Sequence, residues 1–135
     1  MEKLLLLTLI VSLVSFAVPN RFIKEFGLAF SAAFFVFSFT LLFNYNPQND
    51  YNYSFFSDKI LGDIGGSLYL GLDGIGVLMV LLTNFVVLYV NLMAWNKKYP
   101  SSFYGLVFLM QFALLGVFSS LNAILFYVFW EIALI

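Results

Sequence analysis

The sequence predicts an all-α protein, a polytopic bundle of transmembrane helices, and three observations carry that prediction. Hydrophobic residues make up 63% of the 135-residue chain and charged residues 10%, against roughly 45–50% and about 25% in ordinary soluble domains. Mean hydropathy is +1.00. The apolar residues are also gathered into runs that approach the roughly 20 helical residues needed to cross a hydrocarbon core of about 30 Å.

Five such runs follow one another. The first, Leu4 to Val18, is closed by Pro19, which has no amide hydrogen with which to continue a helix. The second is Phe26 to Phe43, the third Gly74 to Trp95 and the fourth Phe103 to Phe118. The fifth begins near Leu121 and runs to Ile135, a span cut short. Asn, Tyr and Trp at the flanks suit the membrane interface. Residues 44–72, rich in Asn, Gly and Tyr, form the one long connection; they read as an external loop with room for a short interfacial helix. The chain therefore reads as a single membrane domain over residues 1–135, with helices at about 4–18, 26–43, 74–95, 103–118 and 121–135.

The amino-terminal segment has a second reading. "MEKLLLLTLIVSLVSFAVPN" combines a lysine, an apolar core and a small-residue site around Ala17, the pattern of a secretory signal peptide. Glu2 offsets Lys3, and further spans follow whichever reading holds, so the expectation is an uncleaved first helix.

Lys and Arg in short loops set orientation. Arg21 and Lys24 follow the first run, and Lys97 and Lys98 follow the third. The long loop holds Lys59 against Asp50, Asp58, Asp63 and Asp73. Both short basic loops are thus expected in the cytoplasm, with the amino terminus and the "SSLN" turn at 119–122 outside. This suits the cytoplasmic (inner) membrane of a bacterium.

Several function classes fall away on composition. The chain contains no Cys and no His, which excludes disulfides, thiolate catalysis and the usual zinc, haem and iron–sulfur ligation. No metal site and no cofactor are therefore expected in this chain. A net charge of −1 with six scattered basic residues gives nucleic acid no surface to bind. The bilayer is the expected partner, and the 18 Phe read as lipid-facing and interhelical filler.

One residue asks for chemistry. In "LFYVFWEIALI" Glu131 places a carboxylate inside an apolar run, nine residues beyond Asn122, or roughly 13 Å along a helix. A carboxylate at that depth costs about 3 kcal/mol on insertion scales; it normally faces a protein interior or water-filled cavity and marks an ion path. An intramembrane proton relay is the functional reading. The plainer one is an acid near a helix end that reaches the headgroups. Asn84 and Asn91, seven apart on one helix face, form a candidate polar seam with Gln111 of the fourth run, although interhelical hydrogen bonding is the commoner role of such residues. Gly27 and Ser31, Gly105 and Gly116 read as sites of close helix packing. Asp73, just before the third run, reads as a helix cap.

Two strings also resemble a known family. "YLGLDGIGVLMVLLTNF" and, further on, "FYGLVFLMQFALLGVFSSLNAILFYVFWEIALI" resemble the amino-terminal quarter of subunit M, the mitochondrial chain 4, of the respiratory NADH:quinone oxidoreductase, complex I. The match is good over residues 69–135, and Phe-Trp-Glu followed by Ile-Ala-Leu-Ile is its most specific piece. Gly76 departs from it, since relatives often carry Ser after the Asp-Gly pair. The resemblance implies the front part of an antiporter-like subunit fold, built on inverted repeats with broken helices. It further implies that Glu131 is the essential intramembrane acid, paired with a lysine of a later helix. NADH, FMN, iron–sulfur clusters and quinone would then sit in other subunits, and the partners would be other membrane-arm subunits.

The family continues beyond "WEIALI", so the expectation is a fragment that stops mid-helix, before the lysine partners, without transport activity alone. Three readings follow: part of the proton-translocating arm of complex I, a subunit of a multisubunit sodium/proton antiporter, or a small membrane protein in which Glu131 is incidental.

Overall fold

The structure is a computed structural model describing residues 2–48, 52–57, 68–121 and 123–134. Asp50, Asp58, Lys59 and Asp63 of the long connection, Asn122 of the expected tight turn and the terminal Ile135 lie outside those residues. The described chain runs α1 (Glu2–Ala17), α2 (Ile23–Phe43), β1 (Asn52–Ser57), β2 (Leu68–Leu72), α3 (Gly74–Met93), α4 (Ser101–Ser119) and α5 (Ala123–Leu134). Three helices, α2, α3 and α4, are long and apolar enough to cross a membrane, and α1 and α5 are shorter apolar helices.

Helix ends depart from the apolar runs where local chemistry outweighs hydropathy. Pro19 does end α1, and a turn closed by Phe22 N–H donating to the Pro19 carbonyl at 3.0 Å leads directly into α2. That helix begins at Ile23 rather than Phe26, because Lys24 and Glu25 are good helix formers that can lie in the headgroup layer. Similarly, α4 starts at Ser101 after Pro100. Its first amide and the Ser101 hydroxyl both donate to Asn20 Oδ1, at 2.9 and 2.8 Å. A side chain of the α1–α2 loop thus satisfies a helix start that has no side-chain cap of its own, and it holds the two basic loops at one end of the bundle.

The connection at 44–72 differs from the expected loop with an interfacial helix. Its described part is an antiparallel pair of strands, with Phe55 opposite Leu70, Phe56 opposite Tyr69 and Ser57 opposite Leu68, and an irregularity between Asn52 and Phe55. Period-2 geometry explains the choice: Leu70 and Leu72 are two apart, and both are buried in the main core. Leu70 also forms an isolated bridge to Ser120, which fastens the hairpin to the turn after α4.

Helix α4 is the hub, with α1, α3 and α5 packed on it, and α2 packs on α3. Small residues make these approaches possible. The Ser12 hydroxyl donates to the Gly105 carbonyl at 2.8 Å, and a Cβ at Gly105 would lie 2.7 Å from the Phe16 ring. A Cβ at Gly116 would fall within the Phe129 ring, so α5 sits as close to α4 as it does because position 116 has no side chain. Gly27 and Ser31 are both buried on the inner face of α2.

The polarity of the bundle is inverted relative to a soluble protein. Ser12, Ser15, Ser38, Asn84, Asn91 and Gln111 are buried, whereas Leu13, Val36, Phe43, Leu78 and Leu106 are exposed. In water this arrangement would expose large apolar area and bury polar groups, both unfavourable. It is favourable when hydrocarbon is the solvent. The phenylalanines serve both roles: Phe34 meets Phe108 edge-on at 6.4 Å, and Phe112 meets Phe129 at 5.4 Å.

Candidate functional site

Two groups of polar side chains lie in the helical region, and the fold keeps them apart. The first is a buried network joining α2, α3 and α4. Gln111 Nε2 donates to Asn84 Oδ1 at 2.6 Å. Asn84 Nδ2 donates to the Phe34 carbonyl at 3.2 Å and to Ser38 Oγ. The Ser38 hydroxyl in turn donates to the Phe34 carbonyl at 2.8 Å. One carboxamide thus links three helices in a region where water does not compete.

A second layer repeats the first without its bonds. Asn91 lies seven residues after Asn84, and Tyr104 seven before Gln111. In an antiparallel helix pair this brings the two together about 10 Å along the bundle from the first layer. Both border Gly27, where a Cβ would lie 2.8 Å from Tyr104 Cδ1 and 3.4 Å from Asn91 Oδ1. The amide and carbonyl of Asn91, the Tyr104 hydroxyl and the remaining oxygen of Gln111 are buried with no hydrogen-bond partner. Asn91 therefore does not join the seam through Asn84 that its spacing suggests, and Thr83 donates only to the Met79 carbonyl of its own helix, at 2.8 Å.

Glu131 forms the second group. The buried residues of α5 are Leu125 and Phe129, and Glu131 lies two positions beyond Phe129, roughly 200° around the helix. Its side chain is exposed on the outer face, and Tyr127, also exposed, stands one turn earlier on the same face. Within the described helices the acid therefore faces outward, and the inward-facing cavity anticipated from its cost in lipid is not formed by α1 to α5. Such an arrangement presents a carboxylate whose lone pairs can accept from a group on another element. Asp73 lies apart from both groups. It stands at extended φ −89° and ψ −175° before α3, and its side chain accepts from Gly76 N–H at 2.6 Å. A Cβ at Gly76 would lie 3.0 Å from that same Asp73 oxygen.

Among the described residues no group of three or more His, Cys, Asp or Glu is placed to hold a metal. Sequence reasoning did not single out Ser38, Tyr104 or Tyr127. The signal for Tyr104 and Tyr127 was present, since each stands at helical spacing from a residue already chosen: seven before Gln111 and four before Glu131. Ser38 had none, because its partner lies 46 residues away.

Comparison with known proteins finds similarity to subunits of quinone oxidoreductases and a related dehydrogenase. No protein-family model matches it. It is similar along its whole length to NADH-ubiquinone oxidoreductase chain 4 of Arabidopsis thaliana, with 29% identity covering 28% of that protein. To NADH-quinone oxidoreductase subunit M of Rhodobacter capsulatus it is 36% identical over 86% of this chain and 22% of the relative. To F(420)H(2) dehydrogenase subunit M of Methanosarcina mazei it is 36% identical over 53% of this chain and 15% of the relative. The matched part thus spans between 15% and 28% of the length of these relatives.

Proposed function

We propose that this homologue of the subunit M and chain 4 proteins of NADH-quinone oxidoreductases is part of a proton-translocating membrane arm, in which Glu131 is the proton-carrying group. The observation that carries this reading is a lone carboxylate on the outer face of an apolar helix. Left to lipid, it costs about 3 kcal/mol on insertion scales. A neighbouring element bearing a cation offsets that cost, and as the cation approaches or withdraws the same site favours the carboxylate or the neutral acid. That alternation is the elementary step of a relay.

On this reading the chain does no redox chemistry. NADH or another hydride donor, FMN, iron–sulfur clusters and quinone belong to other subunits, and the other membrane-arm subunits are its protein partners. Arg21, Lys24, Lys97 and Lys98 at one end of the bundle support a bacterial cytoplasmic membrane with those loops inside and the amino terminus outside.

The test is Glu131→Gln in the assembled host complex, which preserves side-chain size and polarity but cannot carry a proton. Donor-driven proton translocation across vesicles is expected to fall by about tenfold, equivalent to about 1.4 kcal/mol on the barrier, with Glu131→Asp keeping part of the activity. An assembled Gln variant that pumps at the normal rate overturns the assignment.

A further inference from the structure

We propose that the end of the bundle carrying the basic loops is a binding site for one anionic glycerophospholipid, its phosphate held in a cleft between the α1–α2 and α3–α4 loops. The cleft measures about 590 Å³ and is lined by Asn20, Arg21, Lys24, Glu25, Lys98 and Tyr99, with Pro100 at its edge. Three cations therefore converge on one space against a single carboxylate. Arg21 in the α1–α2 loop, Lys24 in the first turn of α2 and Lys98 in the α3–α4 loop supply them, and the two loops are fastened together by Asn20 and Ser101, so the charges are held across a fixed gap rather than spread along a flexible segment. Arg21 is steadied by the Phe22 ring, 5.1 Å from its guanidinium carbon, which leaves its N–H groups free for the bidentate contacts that suit a phosphate.

A second feature turns an anion site into a lipid site. Tyr99 also borders a separate apolar groove of about 320 Å³, lined chiefly by Tyr89, Val90, Met93, Ala94 and Phe103, with Lys97 at its rim. Tyr99 stacks on Phe103 at 4.3 Å and forms the shared wall between the basic cleft and the groove. Tyr89 and Met93 on the far side are exposed, so the groove opens towards the hydrocarbon. A molecule with a phosphate at one end and an acyl chain at the other matches this pair of spaces, with tyrosine at the boundary where its amphipathic ring is favoured. Basic pockets between spans at this depth hold anionic headgroups by charge and hydrogen bonding together. Glu131 lines neither the cleft nor the groove, and the proposal stands or falls independently of the proton-relay reading.

The test is native mass spectrometry of the full chain in detergent with phosphatidylglycerol, phosphatidylcholine, glycerol 3-phosphate or inorganic phosphate added. One phosphatidylglycerol is expected to be retained, at least tenfold more strongly than phosphatidylcholine. Combined Arg21→Gln, Lys24→Gln and Lys98→Gln substitutions are expected to abolish that preference, whereas Lys3→Gln, outside the cleft, leaves it intact. Equal retention of the two lipids overturns the proposal, as does a triple variant of unchanged helicity that keeps the preference. Binding of glycerol 3-phosphate or inorganic phosphate as tight as that of phosphatidylglycerol also overturns it, since the groove would then contribute nothing.

Discussion

Gln111 on α4 donates to Asn84 on α3 at 2.6 Å, and Asn84 carries the connection on to Ser38 and the Phe34 carbonyl of α2. The bond joins side chains 27 residues apart, and it is the point where three spans are held in one register. Its neighbours one layer away, Asn91 and Tyr104, have the same spacing and none of the bonds.

Breaking the Asn84–Gln111 pair from either side should be costly. Asn84→Leu leaves Gln111 and Ser38 with unmet hydrogen-bonding groups, and Gln111→Leu leaves an Asn84 acceptor unmet. Each is expected to destabilise the bundle by about 1–3 kcal/mol. The double variant should cost less than the sum, by roughly 1 kcal/mol, the usual size of interhelical coupling in membranes. Reversible unfolding in bicelles measures all three; strictly additive costs mean that the two side chains do not interact.

At Asn91 the sign should reverse. Its amide and carbonyl are buried without partners, so Asn91→Leu removes an existing penalty and is expected to be neutral or stabilising by up to about 2 kcal/mol. Tyr104→Phe, losing only an unpartnered hydroxyl, should behave likewise. If Asn91→Leu costs as much as Asn84→Leu in the same unfolding assay, Asn91 has a partner in the membrane.

Gly116 sets how closely α5 approaches α4, because any Cβ there meets the Phe129 ring. Gly116→Ala is expected to cost about 1–3 kcal/mol through overpacking and to move α5 outward, which spin labels on α4 and α5 register as a longer distance. Adding Phe129→Leu should restore part of both losses. Should the second substitution make stability worse, the ring is not the obstacle.

The helices were legible because each is a long apolar run, and a run is a local property. Pro19 and Asp73 marked two boundaries through chemistry that acts over one turn, whereas hydropathy alone puts the start of α4 at Phe103 instead of Ser101, after Pro100. The hairpin was not legible: Leu68 to Leu72 is as apolar as a helix start, and only its pairing with Asn52–Ser57 and the burial of Leu70 and Leu72 select a strand. The candidate site divided in the same way. Glu131 stood out because a charge in an apolar run is conspicuous wherever it points. Its outward direction was not legible, since that depends on which face of α5 meets α4, and Phe129 against Gly116 decides it.

Asn84, Asn91 and Gln111 show where local pattern stops. Their spacing places polar groups on inward helix faces, but the seven-residue repeat cannot distinguish the bonded pair from the unbonded one. That difference arises from α2, which brings Ser38 and the Phe34 carbonyl to Asn84 and Gly27 to Asn91.

By itself, then, the sequence determined the solvent, the number and approximate extent of the apolar helices, the absence of thiol and imidazole chemistry, and the one acid that apolar surroundings make expensive. These follow from transfer free energies, which sum over residues irrespective of how the helices meet. Tertiary structure decided which polar side chains are paired, that Glu131 points outward while the carboxamides are buried, and that three cations from two loops and the start of α2 share one cleft. Those outcomes depend on helix rotation and on contacts between segments far apart in the chain, where side-chain shape, the lack of one at Gly27, Gly105 and Gly116 above all, fixes the distance of approach.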